Sequence, residues 1–288
     1  MKVLLTGASG FIGQHLLQQL LKANVEVIVL GRRKPDFHTG QFIKIDLLQT
    51  EIDQSAIKDS GATQLIHLAW YTEHEKYWTS PINLRWVEAT TRLVEAFCAA
   101  GGKKVLLSGT CAEYDWSYGY LLETETPLKP STMYGCAKDA TRRLVAAICE
   151  EYHVKCVWAR IFIPYGPGED SRRLIPSLFD VFLSRRAPFA VNEIAFRDFI
   201  HVSDVAAALV TLNQSEANGV FNVSSGYPLK IREIVEKVAK ACKADPNAVL
   251  SLSNQSIGGP ILLVGDNRKL IQLGWQQNHR IDDLFKYK

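Results

Sequence analysis

The chain has 288 residues, enough for one large domain or two small ones, and its hydrophobic content of 47% is that of a globular protein with a sizeable core. A formal net charge of +3, with no long run of Lys or Arg, argues against nucleic acid as a partner. No apolar run approaches a membrane span, and six cysteines without a C-x-x-C pair indicate free thiols in a reducing compartment. We therefore expect a cytoplasmic protein that binds neither nucleic acid nor a membrane.

Apolar, strand-like runs alternate with helical patterns in the first part of the chain. The predicted strands are Lys2–Thr6, Glu26–Leu30, Gln41–Ile45, Gln64–Leu68, Lys104–Ser108 and Lys155–Ile161, and the predicted helices are Phe11–Lys22, Ile82–Ala100 and Tyr134–Tyr152. This β-α-β order predicts a parallel sheet with helices on both faces. Right-handed crossovers then place the carboxyl ends of the strands at one edge, where such sheets bind their ligands.

The alternation weakens after Ile161, where prolines and glycines interrupt the chain. The later predictions are helices at Leu174–Leu183, Val202–Leu212 and Leu229–Cys242 and a short strand at Phe221–Val223. We expect residues 1–163, with 199–218 packing back on them, to form the main unit. Residues 164–198 and 219–288 are expected to form a smaller α/β subdomain that faces the edge of the sheet.

Three glycines lie between the first predicted strand and the first predicted helix. Gly7, Gly10 and Gly13 have the spacing G-x-x-G-x-x-G, which differs from the G-x-G-x-x-G of most dinucleotide-binding dehydrogenases. The backbone of a glycine turn can approach a ligand closely, and the free N–H groups at the start of a helix favour a phosphate. The pattern predicts a dinucleotide site; the alternative is a sharp strand-to-helix turn that binds no ligand.

The ends of the second and third predicted strands indicate which dinucleotide binds. An acidic residue at the end of the second strand binds the ribose hydroxyls, whereas an arginine accommodates a 2′-phosphate. Here Arg32 and Arg33 follow Gly31, which predicts NADP(H) in preference to NAD(H); the alternative is that both arginines face solvent. After the third strand, Asp46 is suited to bind the adenine amino group, with Leu47 against the ring, or to cap a helix.

Tyr134 and Lys138 are four residues apart at the start of a predicted helix, so their side chains share one helix face. A phenol has a pKa of about 10 and exchanges protons poorly at neutral pH, but a neighbouring ammonium lowers that pKa. The fifth predicted strand leads to Thr110, whose hydroxyl would align a substrate oxygen beside the tyrosine. These residues predict an acid/base site; the alternatives are a surface Tyr/Lys pair and a threonine that caps a turn.

Several motifs occur in one order along the chain. They are Gly7/Gly10/Gly13, Asp46, His67-Leu68-Ala69, Thr110, Glu125-Thr126-Pro127, Tyr134-x-x-x-Lys138, the segment from Arg160 to Gly168, the segment from Arg197 to Val205, and Leu273-Gly274-Trp275. Together they resemble the extended short-chain dehydrogenase/reductase family, in the branch that acts on nucleotide sugars, from Met1 to about Trp275. The resemblance implies a Rossmann-like, doubly wound α/β fold whose main unit binds NAD(P) and whose smaller subdomain binds substrate. It also implies a homodimer formed through two long helices.

The resemblance and the strand-end arguments together predict the residues of the site. The catalytic residues are Thr110, Tyr134 and Lys138. The cofactor-binding residues are Gly7, Ser9, Gly10, Phe11, Ile12, Gly13, Arg32, Arg33, Asp46, Leu47, Leu68, Ala69, Trp70, Ser108, Tyr134, Lys138, Ile161 and Ile163. The substrate-binding residues, for a nucleoside diphosphate sugar, are Thr110, Cys111, Arg172, Arg173, Leu174, Arg197 and Arg268. Arg197 matches an arginine that grips the substrate diphosphate; the alternative is a salt bridge with Asp198 or Asp204.

Two departures from the family pattern narrow the predicted reaction. Family members that act as 4,6-dehydratases carry an acidic pair just after the catalytic threonine, where this chain has Cys111 and Ala112, so dehydration is not expected. Ile163 replaces an asparagine that contacts the substrate, which weakens the analogy with the 4-epimerases. Four aromatic residues follow the fourth predicted strand and would either stack on a sugar or a base or serve as packing: Trp70, Tyr71, Tyr77 and Trp78.

These features predict an NADP(H)-dependent reductase of a keto group, at C4, on a nucleotide-linked deoxysugar. The alternative is an NAD(P)-dependent nucleotide-sugar 4-epimerase, which would use the same residues. A third hypothesis is a non-catalytic NADP(H)-binding regulatory protein, and the presence of all three predicted catalytic residues argues against it. No motif suggests a metal site.

Overall fold

A parallel sheet is the central element of the described residues, which are 1–49, 52–257 and 259–282 in this computed structural model. The strands are β1 (Lys2–Thr6), β2 (Glu26–Gly31), β3 (Phe42–Lys44), β4 (Gln64–His67), β5 (Lys104–Thr110), β6 (Tyr120–Leu121), β7 (Lys155–Ile161), β8 (Ile163–Tyr165), β9 (Phe196–Arg197), β10 (Phe199–His201), β11 (Gly219–Val223), β12 (Leu229–Lys230) and β13 (Leu262–Gly265). The helices are α1 (Phe11–Lys22), α2 (Gln54–Ser60), α3 (Ile82–Ala99), α4 (Met133–Glu151), α5 (Leu174–Phe182), α6 (Val202–Gln214), α7 (Ile231–Cys242), α8 (Asn247–Leu250) and α9 (Arg268–Ile271).

Within these residues the main sheet has seven strands in the order β11-β7-β5-β4-β1-β2-β3, and each neighbouring pair is parallel. The chain first moves outward from β1 to β3 and then returns to β4 on the other side of β1. The strand order therefore reverses between β1 and β4, and doubly wound sheets bind ligands at the carboxyl ends of the strands at such a point. The predicted α/β, Rossmann-like fold is confirmed.

The side chains of β1 divide between two hydrophobic layers. Successive residues of a strand point to opposite faces of its sheet. Val3 and Leu5 therefore pack with the apolar residues of α1 and α6, whereas Leu4 packs with those of α3 and α4. All three side chains are fully buried, which is typical of a parallel sheet covered on both faces.

A smaller group of elements has its own hydrophobic core. Helices α5 and α7 supply most of it, with the buried side chains Leu178, Val181, Ile234, Val235 and Val238. A four-stranded sheet of order β12-β9-β13-β6 and the parallel pair β10-β8 are separate from the main sheet, and β6 is contributed by the first half of the chain. Helices α5 and α7 and strands β9, β12 and β13 come from residues expected in the smaller subdomain, whereas β6 and β10 come from residues expected in the main unit.

The predicted division of the chain is wrong for two segments after residue 218. Strand β11 is the edge strand of the main sheet, where Val223 is paired with Ile161 of β7. Leu270 and Trp275 are buried in the core beneath α1 and α6. Both segments were predicted from the sequence to lie in the smaller subdomain. The residues of a short strand carry no signal that identifies the strand with which it pairs.

The predicted elements of the first half match the structure closely, and the differences have local causes. Helix α7 begins at Ile231 rather than Leu229, because Leu229 and Lys230 pair with β9 as strand β12. Helix α2 was not predicted; the Asp53 side chain accepts a hydrogen bond from Ser55 N at 2.8 Å and caps its start.

No helix within residues 1–49, 52–257 and 259–282 has the length and apolar character of a membrane crossing.

Candidate active site

The turn between β1 and α1 packs directly against the end of β4. Gly7 has a φ of +73°, and a Cβ at this position would lie 2.7 Å from the backbone N of Ala69. A Cβ on Gly13 would lie 2.0 Å from the carbonyl oxygen of Gly7. Neither position tolerates a side chain, and the first turn of α1 has no side-chain cap. The turn therefore presents bare backbone and uncapped N–H groups to the adjacent cavity, an arrangement that fits a phosphate.

This turn forms one wall of a cavity of about 1310 Å³ at the carboxyl edge of the main sheet. Every predicted cofactor-binding residue lines it: Gly7, Ser9, Gly10, Phe11, Ile12, Gly13, Arg32, Arg33, Asp46, Leu47, Leu68, Ala69, Trp70, Ser108, Tyr134, Lys138, Ile161 and Ile163. Asp46 also accepts a hydrogen bond from Leu48 N at 3.1 Å, so it closes a local turn while facing the cavity. The glycine turn and the volume fit a dinucleotide with room for a second ligand.

The three predicted catalytic residues line the same cavity, on the end of β5 and the first turns of α4. Helix α4 begins at a cap in which the Thr132 side chain accepts a hydrogen bond from Gly135 N. The backbone N of Tyr134 donates to the carbonyl of Trp78 at 3.1 Å, which ties the helix start to the loop after β4. Lys138 Nζ lies 6.0 Å from the centroid of the Tyr134 ring and donates to the carbonyl of Ser108 at 2.8 Å.

The pKa of Tyr134 is shifted upward, opposite to the direction that the sequence predicts. Burial is the largest cause, and a side-chain hydrogen bond with Thr110 opposes it. Burial also lowers the pKa of Lys138 to about 7. The Lys138 ammonium is directed at a backbone carbonyl and at the Trp70 ring rather than at the phenol oxygen. Tyr134 therefore holds its proton at neutral pH, as a proton donor must.

Three aromatic side chains, Tyr77, Trp78 and Trp116, form a wall around Tyr134. The ring centroids of Tyr77 and Trp78 lie 4.8 Å and 5.7 Å from that of Tyr134, both edge-on, and Trp116 lies 6.4 Å from Trp78. The indole N–H of Trp116 donates to the carbonyl of Cys111 at 2.8 Å. This aromatic wall lines the cavity and places mainly carbon next to the Tyr134 phenol. Trp116 was not singled out in the sequence.

The predicted substrate residues Cys111, Arg172, Arg173 and Leu174 also line the cavity. Arg172 donates to Asp170 at 2.7 Å and 3.0 Å. Arg173 lies 3.2 Å from Glu169, whose pKa is raised to about 7 by burial against the opposing effect of Arg173. Each arginine thus has an acidic neighbour. Glu169 lines the cavity and was not predicted as a site residue from the sequence.

The structure brings Arg197 to the cavity but not Arg268. Arg197 is buried and donates to the carbonyls of Phe196 and Pro260 at 2.8 Å and 2.7 Å, which positions its guanidinium in the wall. Arg268 begins α9, is mostly exposed, and is bound by Asp266 two residues before it. It lies outside the cavity lining, contrary to its prediction as a substrate residue.

A buried glutamate behind Thr110 was also missed. Glu113 accepts a hydrogen bond from Thr110 N at 2.8 Å and is paired with Arg160 at 2.8 Å. The spacing Thr110-x-x-Glu113 is that of a capping box, in which the threonine side chain and the glutamate each satisfy a backbone N–H at a helix start. That signal was available in the sequence.

Comparisons with known proteins agree with this geometry. The family described as "NAD dependent epimerase/dehydratase family" matches residues 3–224. A UDP-glucose 4-epimerase of Streptomyces lividans is 24% identical over 304 residues, covering 95% of this chain and 91% of that protein. A dTDP-6-deoxy-L-talose 4-dehydrogenase (NAD(+)) of Aggregatibacter actinomycetemcomitans is 26% identical over 250 residues, covering 82% and 89%.

Among solved structures, MoeE5 in complex with UDP-glucuronic acid and NAD is 28% identical with a TM-score of 0.86, covering all of this chain and 97% of that one. The UDP-glucose 4-epimerase of Thermus thermophilus, in complex with NAD, has a TM-score of 0.78 at 24% identity, covering 100% and 99%. The resemblance stated from the sequence is confirmed. The chain belongs to the NAD-dependent epimerase/dehydratase family, within the extended short-chain dehydrogenases/reductases.

Proposed function

We propose that this protein is an NADP(H)-dependent reductase of a keto group, at C4, on a nucleotide-linked deoxysugar. The observation that carries the proposal is the single cavity shared by the glycine turn, the Arg32-Arg33 pair and the residues Thr110, Tyr134 and Lys138. One end suits a dinucleotide and the other places a protonated phenol beside a hydroxyl. That combination is what carbonyl reduction requires.

In the proposed reaction, a bound reduced nicotinamide supplies the hydride. Tyr134 donates its phenolic proton to the oxygen of the carbonyl as negative charge develops there. Thr110 donates a hydrogen bond to the same oxygen and keeps it aligned with the phenol. Lys138, fixed by Ser108 and Trp70, binds the cofactor and supplies a positive charge near the site. Arg173 and Arg197 bind the diphosphate of the substrate.

The preference for NADP(H) rests on Arg32 and Arg33. Both side chains are exposed at the cavity end next to Asp46, and both line the cavity. Guanidinium groups bind a 2′-phosphate through paired, charge-assisted hydrogen bonds. The solved relatives described above were bound to NAD, so a direct comparison of the dissociation constants of NADPH and NADH tests this part of the proposal.

The choice of a deoxysugar rests on the aromatic wall. The rings of Tyr77 and Trp78 adjoin the phenol that would face the reacting carbon. Trp116 packs against Trp78, and its indole N–H is already paired with the backbone. Apolar carbon next to the reacting carbon favours a methyl group over a charged carboxylate. Among the relatives, the 4-dehydrogenase named above acts on a dTDP-linked 6-deoxysugar.

The second candidate is a nucleotide-sugar 4-epimerase, and the UDP-glucose 4-epimerases among the relatives favour it. An epimerase returns its hydride to the sugar, so it consumes no reduced cofactor. The deciding experiment gives the protein, in two separate reactions with excess NADPH, a nucleotide-linked 4-keto-6-deoxysugar or UDP-glucose. Continuous NADPH oxidation supports the reductase, whereas interconversion of UDP-glucose and UDP-galactose without net oxidation supports the epimerase.

The expected homodimer and the cytoplasmic location belong to the same proposal. Helices α3 and α4 carry exposed apolar side chains on their outer surfaces, among them Leu84 at 57% and Leu144 at 49% exposure. A second copy of the chain would cover such residues in a four-helix interface. Sedimentation of the wild type and of a Leu84→Glu variant tests the dimer.

A further inference from the structure

The carboxylate of Glu113 is enclosed by hydrogen-bond donors. Its residue is fully buried at the end of the short turn Cys111–Glu113, directly after Thr110. Oε1 accepts from Thr110 N at 2.8 Å, and Oε2 accepts from Arg160 Nε at 2.8 Å. The indole N–H of Trp158 reaches both oxygens, at 2.9 Å and 3.0 Å. Both oxygens accept hydrogen bonds, so an ionised carboxylate pairs with every surrounding donor. The NH₂ group of a glutamine is itself a donor and would face at least one of these donors without an acceptor.

The turn that ends at Glu113 lies against the first turn of α4. Thr110 Oγ1 accepts from Ala112 N at 3.2 Å, which leaves the hydroxyl proton available for the cavity. The carbonyl oxygen of Ala112 approaches Gly135 so closely that a Cβ there would lie 2.4 Å from it. Gly135 follows Tyr134, so a shift of this turn changes the distance between the threonine hydroxyl and the phenol.

We propose that Glu113 is a positioning residue of this active site. Held by Arg160 and Trp158, its carboxylate fixes the backbone of Thr110 and so determines the direction in which the threonine hydroxyl meets the substrate oxygen beside Tyr134. The catalytic part of this inference rests on the proposed function. The geometric part, that the carboxylate sets the position of the hydroxyl, is independent of the substrate.

The charge of Glu113 also reaches the other catalytic groups. The titratable groups around it are Arg160 on β7, Cys111 and Tyr114 on its own turn, and Tyr134 and Lys138 on α4. Burial raises the pKa of Tyr134, and the Glu113 carboxylate adds to that increase. Burial lowers the pKa of Lys138, and the same carboxylate opposes that decrease. Loss of the negative charge therefore moves both pKa values downward.

The test compares wild type, Glu113→Gln, Thr110→Val and the double variant in NADPH oxidation with a 4-keto-6-deoxysugar nucleotide. We expect Glu113→Gln to lower kcat by about 100-fold, as a displaced catalytic group does. KM and the dissociation constant of NADPH should change by less than about threefold, and the pH profile should move toward lower pH. In the Thr110→Val background, Glu113→Gln should lower kcat by less than about threefold further, because the hydroxyl it positions is gone.

The matched control is Asp204→Asn, which removes the charge of another buried carboxylate, outside the cavity lining. Asp204 accepts from the backbone N of Asn278 and His279, so the variant should lose stability and keep its kcat. If Glu113→Gln does not fold, the variant Glu113→Gln/Arg160→Met removes both charges of the buried pair together, a change that proteins tolerate better. The same loss of kcat is expected from it.

Three results would overturn the inference: a folded variant at position 113 with wild-type kcat, an unmoved pH profile, or full additivity with Thr110→Val. If the wild type reduces no nucleotide-linked keto sugar, the proposed function fails, and a crystal structure of Glu113→Gln then decides the geometric part. A shifted Thr110 hydroxyl supports the positioning role, and a hydroxyl in its wild-type place refutes it.

Discussion

The ammonium of Lys138 lies 3.9 Å from the centroid of the Trp70 ring. The ring follows β4 and the lysine lies on α4, so this contact joins the end of the central sheet to the helix that carries the proposed catalytic residue Tyr134. A cation over an aromatic face is stabilised by the ring quadrupole. Burial nevertheless lowers the pKa of Lys138 to about 7, so the charge of this residue is sensitive to pH in the neutral range.

The first prediction concerns pH dependence. Lys138 is protonated below about pH 7 and loses its charge as the pH rises through that value. We expect kcat/KM of the wild type, which reports groups of the free enzyme, to decline above about pH 7. Lys138→Arg keeps its charge at all working pH values, so its smaller kcat/KM should stay level up to about pH 9. The measurement is kcat/KM for the keto sugar across this range of pH, and the same decline in both proteins would contradict the assignment.

A second prediction concerns the phenol. Tyr134→Phe removes the proton donor but keeps the ring and its contacts with the aromatic wall. We expect kcat to fall by about 10³-fold, within the range for a lost general acid, while NADPH binding changes little. NADPH oxidation and NADPH fluorescence titration measure the two quantities. Tyr152→Phe, at the exposed carboxyl end of the same helix, is the control and should keep full activity.

A third prediction concerns the cofactor. Arg32→Ala/Arg33→Ala removes the two guanidinium groups next to the predicted 2′-phosphate site. Hydrogen bonds to charged groups contribute about 1.5–3 kcal/mol, so NADPH should bind about 10- to 100-fold more weakly. NADH binding should change by less than about twofold. Titration of both cofactors measures this, with the exposed Arg185→Ala as the control; equal losses for the two cofactors would speak against an NADP(H) preference.

A fourth prediction concerns stability in acid. His67 is buried between two threonine hydroxyls, with Nδ1 2.7 Å from Thr6 Oγ1 and Nε2 3.0 Å from Thr90 Oγ1. Burial lowers its pKa to about 3, with a further contribution from Lys138. The unfolded chain, with a histidine pKa of about 6.5, binds the proton more tightly. The contribution of His67 to stability is therefore present above about pH 6.5 and is lost as the pH falls from there toward 3.

Urea unfolding at about pH 7, 6 and 5 measures this effect. One proton bound by the unfolded state alone changes the free energy of unfolding by at most about 1.4 kcal/mol per pH unit. His67→Gln should reduce the slope by up to that amount and should lower stability at neutral pH. His153→Asn, at an exposed position with a φ of +55°, is the control and should keep the wild-type slope. An unchanged slope in His67→Gln would refute the linkage.

Much of this architecture could be predicted because its signals are local. The alternation of apolar runs predicted the strands and long helices of the main sheet, and most ends agree within a few residues. The glycine turn and the Tyr134-x-x-x-Lys138 spacing predicted residues that the structure brings to one cavity. Each of these signals depends on backbone conformation within one turn or one helix face, which neighbouring residues determine.

The errors and omissions arise mostly where the partner is distant in sequence. The direction of the pKa shift of Tyr134 depends on burial beneath side chains from other segments, which the four-residue spacing to Lys138 does not report. Strand β11 joins the main sheet through β7, and nothing within its five residues indicates that partner. Arg268 was expected at the substrate, but α9 places it at the surface, where the nearby Asp266 binds it.

By itself, the sequence determined the order of the main elements, the glycine turn between β1 and α1, and the chemical types of the proposed catalytic groups. The tertiary structure alone decided which groups meet across the chain: the carboxylate of Glu113 with Arg160 of β7, and the aromatic wall with the phenol. The physical reason is that helix and turn patterns come from short-range sterics and hydrogen bonds. Burial, and with it the shifted pKa values of Tyr134 and Lys138, comes from packing between segments that the chain brings together only on folding.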